Sequence, residues 1–145
     1  MYSKKYALYG SALMLIIGVF SILPGLEGNL SGLPPLKVNL SYGAFLGIFP
    51  LNIFNKVALI LFGLAGIYCA RQSDRIFSVR YCEIVAGTMG ALAVLGLIPQ
   101  TATLGGIWPL FGGEVYSHGL FAIVAGLCAY ADLHAHDNDK FAKPV

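Results

Sequence analysis

Four long apolar runs constrain this chain more than any other feature. They lie at about Tyr6–Leu23, Val57–Ala70 with an apolar lead-in from Ala44, Tyr81–Ile98 and Val115–Ala131. A bilayer core about 30 Å thick needs about 20 apolar residues per helix, and in lipid only a helix or a closed barrel satisfies its own backbone. Composition agrees: 57% of the residues are hydrophobic and 11% charged, against about 25% charged in soluble domains. The expected fold is an all-α integral membrane protein, a four-transmembrane-helix bundle with spans at residues 6–23, 52–70, 81–98 and 115–131. Residues 132–145 are expected to form a polar cytoplasmic tail.

The first run follows Lys4 and Lys5 but is longer than a signal-peptide core, and Leu23-Pro24-Gly25 follows it where a cleavage site would need small residues. It reads as a retained span. Lys4, Lys5, Arg71, Arg75, Arg80, Lys140 and Lys143 fall on one side of the four spans, and only Lys37 and Lys56 on the other. The positive-inside rule then places both termini and the Arg71–Arg80 loop in the cytoplasm. These basic residues are topology signals, and no nucleic-acid partner is implied. Cys69, Cys82 and Cys128 fall on the reducing side and read as small packing residues.

Residues 25–50 separate the first two spans, and their leucines argue for a packed outer loop over the helix ends. Leu36–Tyr42 alternates apolar and polar residues, a strand-like period. Phe45, Phe49 and Phe54 suit interfacial depth. Gly63, Gly66, Gly87, Gly90, Ala91 and Gly126 are the candidate positions for close helix packing, because small residues let helices approach in lipid.

A weak internal repeat runs through the chain. Lys5-Tyr6 precedes a span that ends at Pro24, and Arg80-Tyr81 precedes one that ends at Pro99, the same Tyr-to-Pro spacing. Gly47-Ile48-Phe49-Pro50-Leu51 enters span two as Gly106-Ile107-Trp108-Pro109-Leu110 enters span four, and in that register Leu59 corresponds to His118. Spans one–two and three–four would then be two parallel repeats.

His118 is the one histidine within a span. Ionisable groups in membranes are expensive and often functional, so it is the candidate ligand for a quinone, haem or pigment. A second in-span histidine for a bis-histidine haem is lacking, since Leu59 holds the equivalent place. Lys56 and Glu114 flank the outer starts of helices two and four, where an ion pair across the bundle mouth is expected. Arg80 and Glu83 suit an i,i+3 pair. His134, His136, Asp137 and Asp132 have metal-binding composition without metal-site spacing, and no metal is expected. There is no phosphate-binding loop, nucleophile elbow or zinc-protease motif.

Four spans, the Phe49-Pro50-Leu51-Asn52 turn, a glycine-bearing second span and a histidine opening span four resemble a family of small bacterial four-span membrane proteins defined as a domain of unknown function. The chain is also broadly similar to the DoxX-like four-span group. The first resemblance implies histidines early in span two, where this chain has Asn55 and Leu59, while Asn52 and His118 are kept. The family implies no activity. The expected function is an accessory or assembly subunit without catalysis or cofactor, with the lipid bilayer, other membrane subunits or its own copies as partners. The alternative is a redox accessory acting through His118. A small carrier or channel ranks third, because mid-span polar residues are lacking.

Overall fold

The computed structural model describes residues 1–23 and 25–141, the side chains of 136–141 excepted. Four helices dominate: α1 (Tyr2–Phe20), α2 (Ile53–Arg71), α3 (Ile76–Leu97) and α4 (Gly113–Phe141). Of these, α2, α3 and the Gly113–Ala135 part of α4 are long and apolar enough to cross a membrane. The protein is therefore a multi-pass membrane protein. The most extensive helix contacts are α1 against α2 and α3 against α4, so the bundle is two hairpins laid side by side.

The helix ends depart from the sequence expectation in instructive ways. Helix α1 starts at Tyr2 and ends at Phe20, ahead of the expected 6–23, because Asp132 caps its start. The Asp132 carboxylate accepts from the backbone N–H groups of Tyr2 at 3.0 Å and Ser3 at 2.8 Å. A carboxylate at a helix N-terminus satisfies orphan donors and the dipole together. Helix α4 runs on to Phe141 through residues expected to be a polar tail, since that stretch contains neither proline nor glycine. Residues 142–145 lie outside the described residues. Asp132→Ala should lower stability by about 1–2 kcal/mol, with Asp132→Asn intermediate, measured by thermal unfolding in detergent.

One end of the bundle carries a cap made from residues 21–23, 25–52 and 98–112. The alternating stretch Leu36–Tyr42 forms no strand. It bends at Lys37 and turns at Leu40–Ser41, and it is held to the second loop where Gly106 O accepts from Lys37 N at 2.8 Å and from Val38 N at 3.2 Å. The strands form just downstream instead. Strands β1 (Gly43–Phe45) and β2 (Phe49–Leu51) pair antiparallel, with Phe45 opposite Phe49. Leu46 and Gly47 turn the hairpin with positive φ. Gly28 fixes the hairpin's distance from the preceding loop: its φ is +83°, and a Cβ there would collide with the Ala44 carbonyl.

Among the candidate packing residues, Gly63 and Gly66 do let α1 and α2 meet. A Cβ on Gly63 would come within 2.7–2.9 Å of the Leu15 backbone and Cβ, and one on Gly66 would overlap the Ser11 hydroxyl. Gly90 and Gly126 make ordinary contacts, with Ala122 and Ala86 respectively. Gly87 and Ala91 do not pack: Gly87 faces open space and Ala91 is exposed. Their i,i+4 spacing gives a smooth face, and that face points away from the bundle. A close approach absent from the sequence reading occurs at Gly96, where a Cβ would strike the Leu110 carbonyl.

Polar bonds fasten the two hairpins to each other. Ser3 Oγ donates to Cys128 O at 3.1 Å and Tyr6 OH to Phe121 O at 3.1 Å, both from α1 to α4. From α3 to α2, Ser78 Oγ donates to Cys69 O at 3.2 Å and Tyr81 OH to Phe62 O at 2.9 Å. Ser11 Oγ also donates to Tyr81 OH at 2.8 Å, so that α1, α2 and α3 meet at one point. The apolar core, with Ala7, Met14, Val85, Met89 and Ala125, fills the space between.

Candidate functional site

Helix α2 starts on an asparagine for a local reason. Asn52 is the N-cap, with its side-chain oxygen accepting from Phe54 N at 3.1 Å and Asn55 N at 3.4 Å. Asn55 Oδ1 accepts in return from Asn52 N, completing a capping box. The Asn52 amide nitrogen then reaches upward, donating to Val38 O at 3.2 Å and Ile107 O at 2.7 Å. One fully buried side chain thus joins both outer loops to the start of α2.

One turn further, Asn55 Nδ2 donates to Pro109 O at 3.3 Å and to Glu114 Oε2 at 3.2 Å. Glu114 sits in the first turn of α4, at the end of the helix dipole that favours an acid. Its Oε2 lies 3.5 Å from His118 Nε2, one turn along the same helix. Both are buried, with 5% and 7% exposure. His118 Nδ1 and Trp108 Nε1 are buried without a partner among the described residues. Trp108 stacks on Phe54, ring centroids 6.1 Å apart.

The expected Lys56–Glu114 pair does not form. Lys56 is fully buried, but its ammonium group points into the cap, 3.7 Å from Glu27 Oε1. There it donates to Ser41 Oγ at 2.8 Å, and Ser41 in turn donates to Glu27. The register had set Lys56 beside Glu114. It is the neighbouring Asn55 that meets the glutamate, and Lys56, one residue or about 100° further round α2, takes its acid from the loop. Glu27 lay outside any periodic pattern. The signal that could have found it was charge balance: Glu27 and Glu114 are the two acids between Phe20 and Tyr116 on that side of the spans, and Lys56 needed one of them.

Two small cavities flank the Glu114–His118 pair. One, about 110 Å³, lies under the β-hairpin and is lined by Phe45, Phe49, Leu59, Met89 and Phe121 together with the pair. The other, about 40 Å³, is bounded by Asn55, Leu59 and Trp108 as well as the pair. Both fall below the roughly 300–1,000 Å³ of common ligand sites. The first has room for a single ring or about three waters at about 30 Å³ each. At the opposite end Arg80 lies 3.4 Å from Glu83, an exposed pair worth little. His136 and Asp137 have side chains outside the described residues. No group of three metal-binding side chains occurs among the described ones.

Helices and hydropathy together define the class, a helical multi-pass membrane protein with a loop cap over one end of the bundle. The family is also definite. The family model named domain of unknown function DUF4383 matches residues 4–131, and the chain belongs to that family. No curated protein and no solved structure matches it.

Proposed function

We propose that this protein is a non-catalytic accessory of a bacterial inner or thylakoid-type membrane, comparable in plan to DoxX-like four-span proteins. It has four spans, with both termini cytoplasmic, and binds other membrane components through its lipid-facing surface. The observation that carries this reading is what the buried polar groups do. Asn52, Asn55, Lys56 and Glu114 tie loops to helix starts, and only small cavities adjoin them. Recesses of ligand size lie instead on the outer faces of the helix pairs. On this reading α1 is the fourth span, its lysines at the cytoplasmic surface.

The two hairpins are read as repeats. Three features support this. The donors Ser3 and Tyr6 correspond to Ser78 and Tyr81, and the acceptors Phe121 and Cys128 to Phe62 and Cys69, in the registers of the sequence repeat. Asn55 bonds to its own equivalent, Glu114. Leu59 and its equivalent His118 border the same two cavities, as residues beside a twofold axis should.

A second reading is favoured by one observation, the unpartnered Nδ1 of His118, which could donate to a quinone-type carbonyl. The cavity volume disfavours a haem or pigment macrocycle. The deciding experiment is an absorbance spectrum with organic extraction of protein purified in mild detergent. A colourless protein without extractable quinone supports the accessory role, whereas a quinone lost in His118→Leu would replace it with the redox reading. Under the accessory reading His118→Leu should hold or raise stability by up to about 1 kcal/mol, since it removes an unpartnered buried nitrogen.

A further inference from the structure

Two grooves run along the outside of the bundle at its basic end. One, about 470 Å³, lies between α1 and α4. The other, about 440 Å³, lies between α2 and α3. The registers that relate the hairpins also relate the grooves. Tyr2, Lys5 and Tyr6 on α1 correspond to Phe77, Arg80 and Tyr81 on α3, and Phe121 and Cys128 on α4 to Phe62 and Cys69 on α2; all ten line their respective grooves. Similar size and matched walls make one binding shape present twice. Each groove is apolar and aromatic along its length and has one cation at its mouth.

We propose that each groove holds an acyl chain of an anionic phospholipid, with the phosphate held at Lys5 in one groove and at Arg80 in the other. This rests on the four-span placement above, which sets both cations at the cytoplasmic surface. Charge complementarity selects the lipid. Lys4, Lys5, Arg71, Arg75 and Arg80 cluster at that end, and basic residues beside membrane helices attract anionic headgroups at about 1 kcal/mol each. The long stems of lysine and arginine let the charge reach the headgroup while the carbons stay in the apolar wall. The grooves are unequal in one respect. Lys5 has no acidic partner among the described residues, whereas Arg80 shares its charge with Glu83, so the α1–α4 groove is the tighter of the two.

Native mass spectrometry of the full chain released from nanodiscs of mixed phosphatidylglycerol and phosphatidylcholine tests the proposal. Two phosphatidylglycerols should be retained per chain, preferred over phosphatidylcholine about fivefold at each groove. Lys5→Ala should remove one of them, Arg80→Ala the weaker one, and the double variant both. Leu13→Trp, which fills the α1–α4 groove without touching its cation, should abolish that lipid alone. Equal retention of the two lipids, or unchanged phosphatidylglycerol in the double variant, overturns it. The placement itself is read separately, by labelling single cysteines at Ser31, Ser73 and Thr103 in a background lacking native cysteines. An impermeant maleimide should reach Ser31→Cys and Thr103→Cys from outside, and Ser73→Cys only after permeabilisation. If that pattern holds and lipid selectivity is absent, only the lipid proposal fails. If the pattern fails, the four-span reading falls with it.

Discussion

Gly66→Val should cost the protein most of its folded population. A Cβ at this position would overlap Ser11 Oγ and sit 2.6 Å from the Tyr81 ring. The obstacle is the crossing of α1 over α2, so relief requires the helices to separate. Separation would also break the Ser11–Tyr81 and Tyr81–Phe62 hydrogen bonds, and in lipid those donors have no water to turn to. Overpacking alone is worth about 1–3 kcal/mol; with the lost bonds, a destabilisation of about 3–5 kcal/mol is expected, seen as aggregation on extraction. Gly87→Val is the control, since Gly87 meets nothing within 4 Å, and a change within about 0.5 kcal/mol is expected. The more specific test is rescue. Ser11→Gly combined with Gly66→Ala should recover stability that Gly66→Ala alone loses, a coupling expected only of residues in contact. Additive losses would show that the crossing does not depend on this pair.

Asn52→Ala should loosen the cap more than any other single polar change. The variant loses the N-cap of α2, about 1 kcal/mol, and leaves Val38 O and Ile107 O without their donor. Both bonds are only part-buried, so water can replace some of the lost donor and each orphan costs about 0.5–1.5 kcal/mol, below the range for full burial. A total loss of about 2–4 kcal/mol is expected, together with faster proteolysis between residues 29 and 40. Asn52→Asp separates the two roles: it keeps the cap oxygen but turns a donor into an acceptor facing two carbonyls. If Asn52→Asp matches wild type in proteolysis, the cross-link between loops is not what holds the cap.

Much of this architecture was legible because lipid imposes simple demands. The three strongest spans follow from hydropathy alone, and Gly63 and Gly66 from the need for small residues at crossings. Gly87 and Ala91 show the limit of that argument. Small residues at i,i+4 spacing produce a flat helix face, but spacing does not say which way the face points. The cap was less legible for another reason. Its partners are far apart in sequence, Asn52 with Val38 and Ile107, and Lys56 with Glu27, and no periodicity links them. Leu36–Tyr42 had the alternation of a strand, yet the positive φ of Leu46 and Gly47 placed the hairpin after it. At the candidate site, His118 and Glu114 stood out as ionisable groups among apolar neighbours. The orphaned Trp108 indole nitrogen did not, since a tryptophan near an interface is ordinary.

The bonds between hairpins carry a consequence for biosynthesis. Ser3, Tyr6 and the first amides of α1 all find their partners on α4, at Cys128, Phe121 and Asp132. A ribosome delivers α1 first and α4 last, so on the four-span reading proposed above the earliest helix waits with its polar groups unmatched until the final one arrives. The second hairpin brings the acceptors for the first, and the first brings those for Ser78 and Tyr81. Neither half can match these donors by itself, so pairing of the two hairpins is complete only once the last helix has been made.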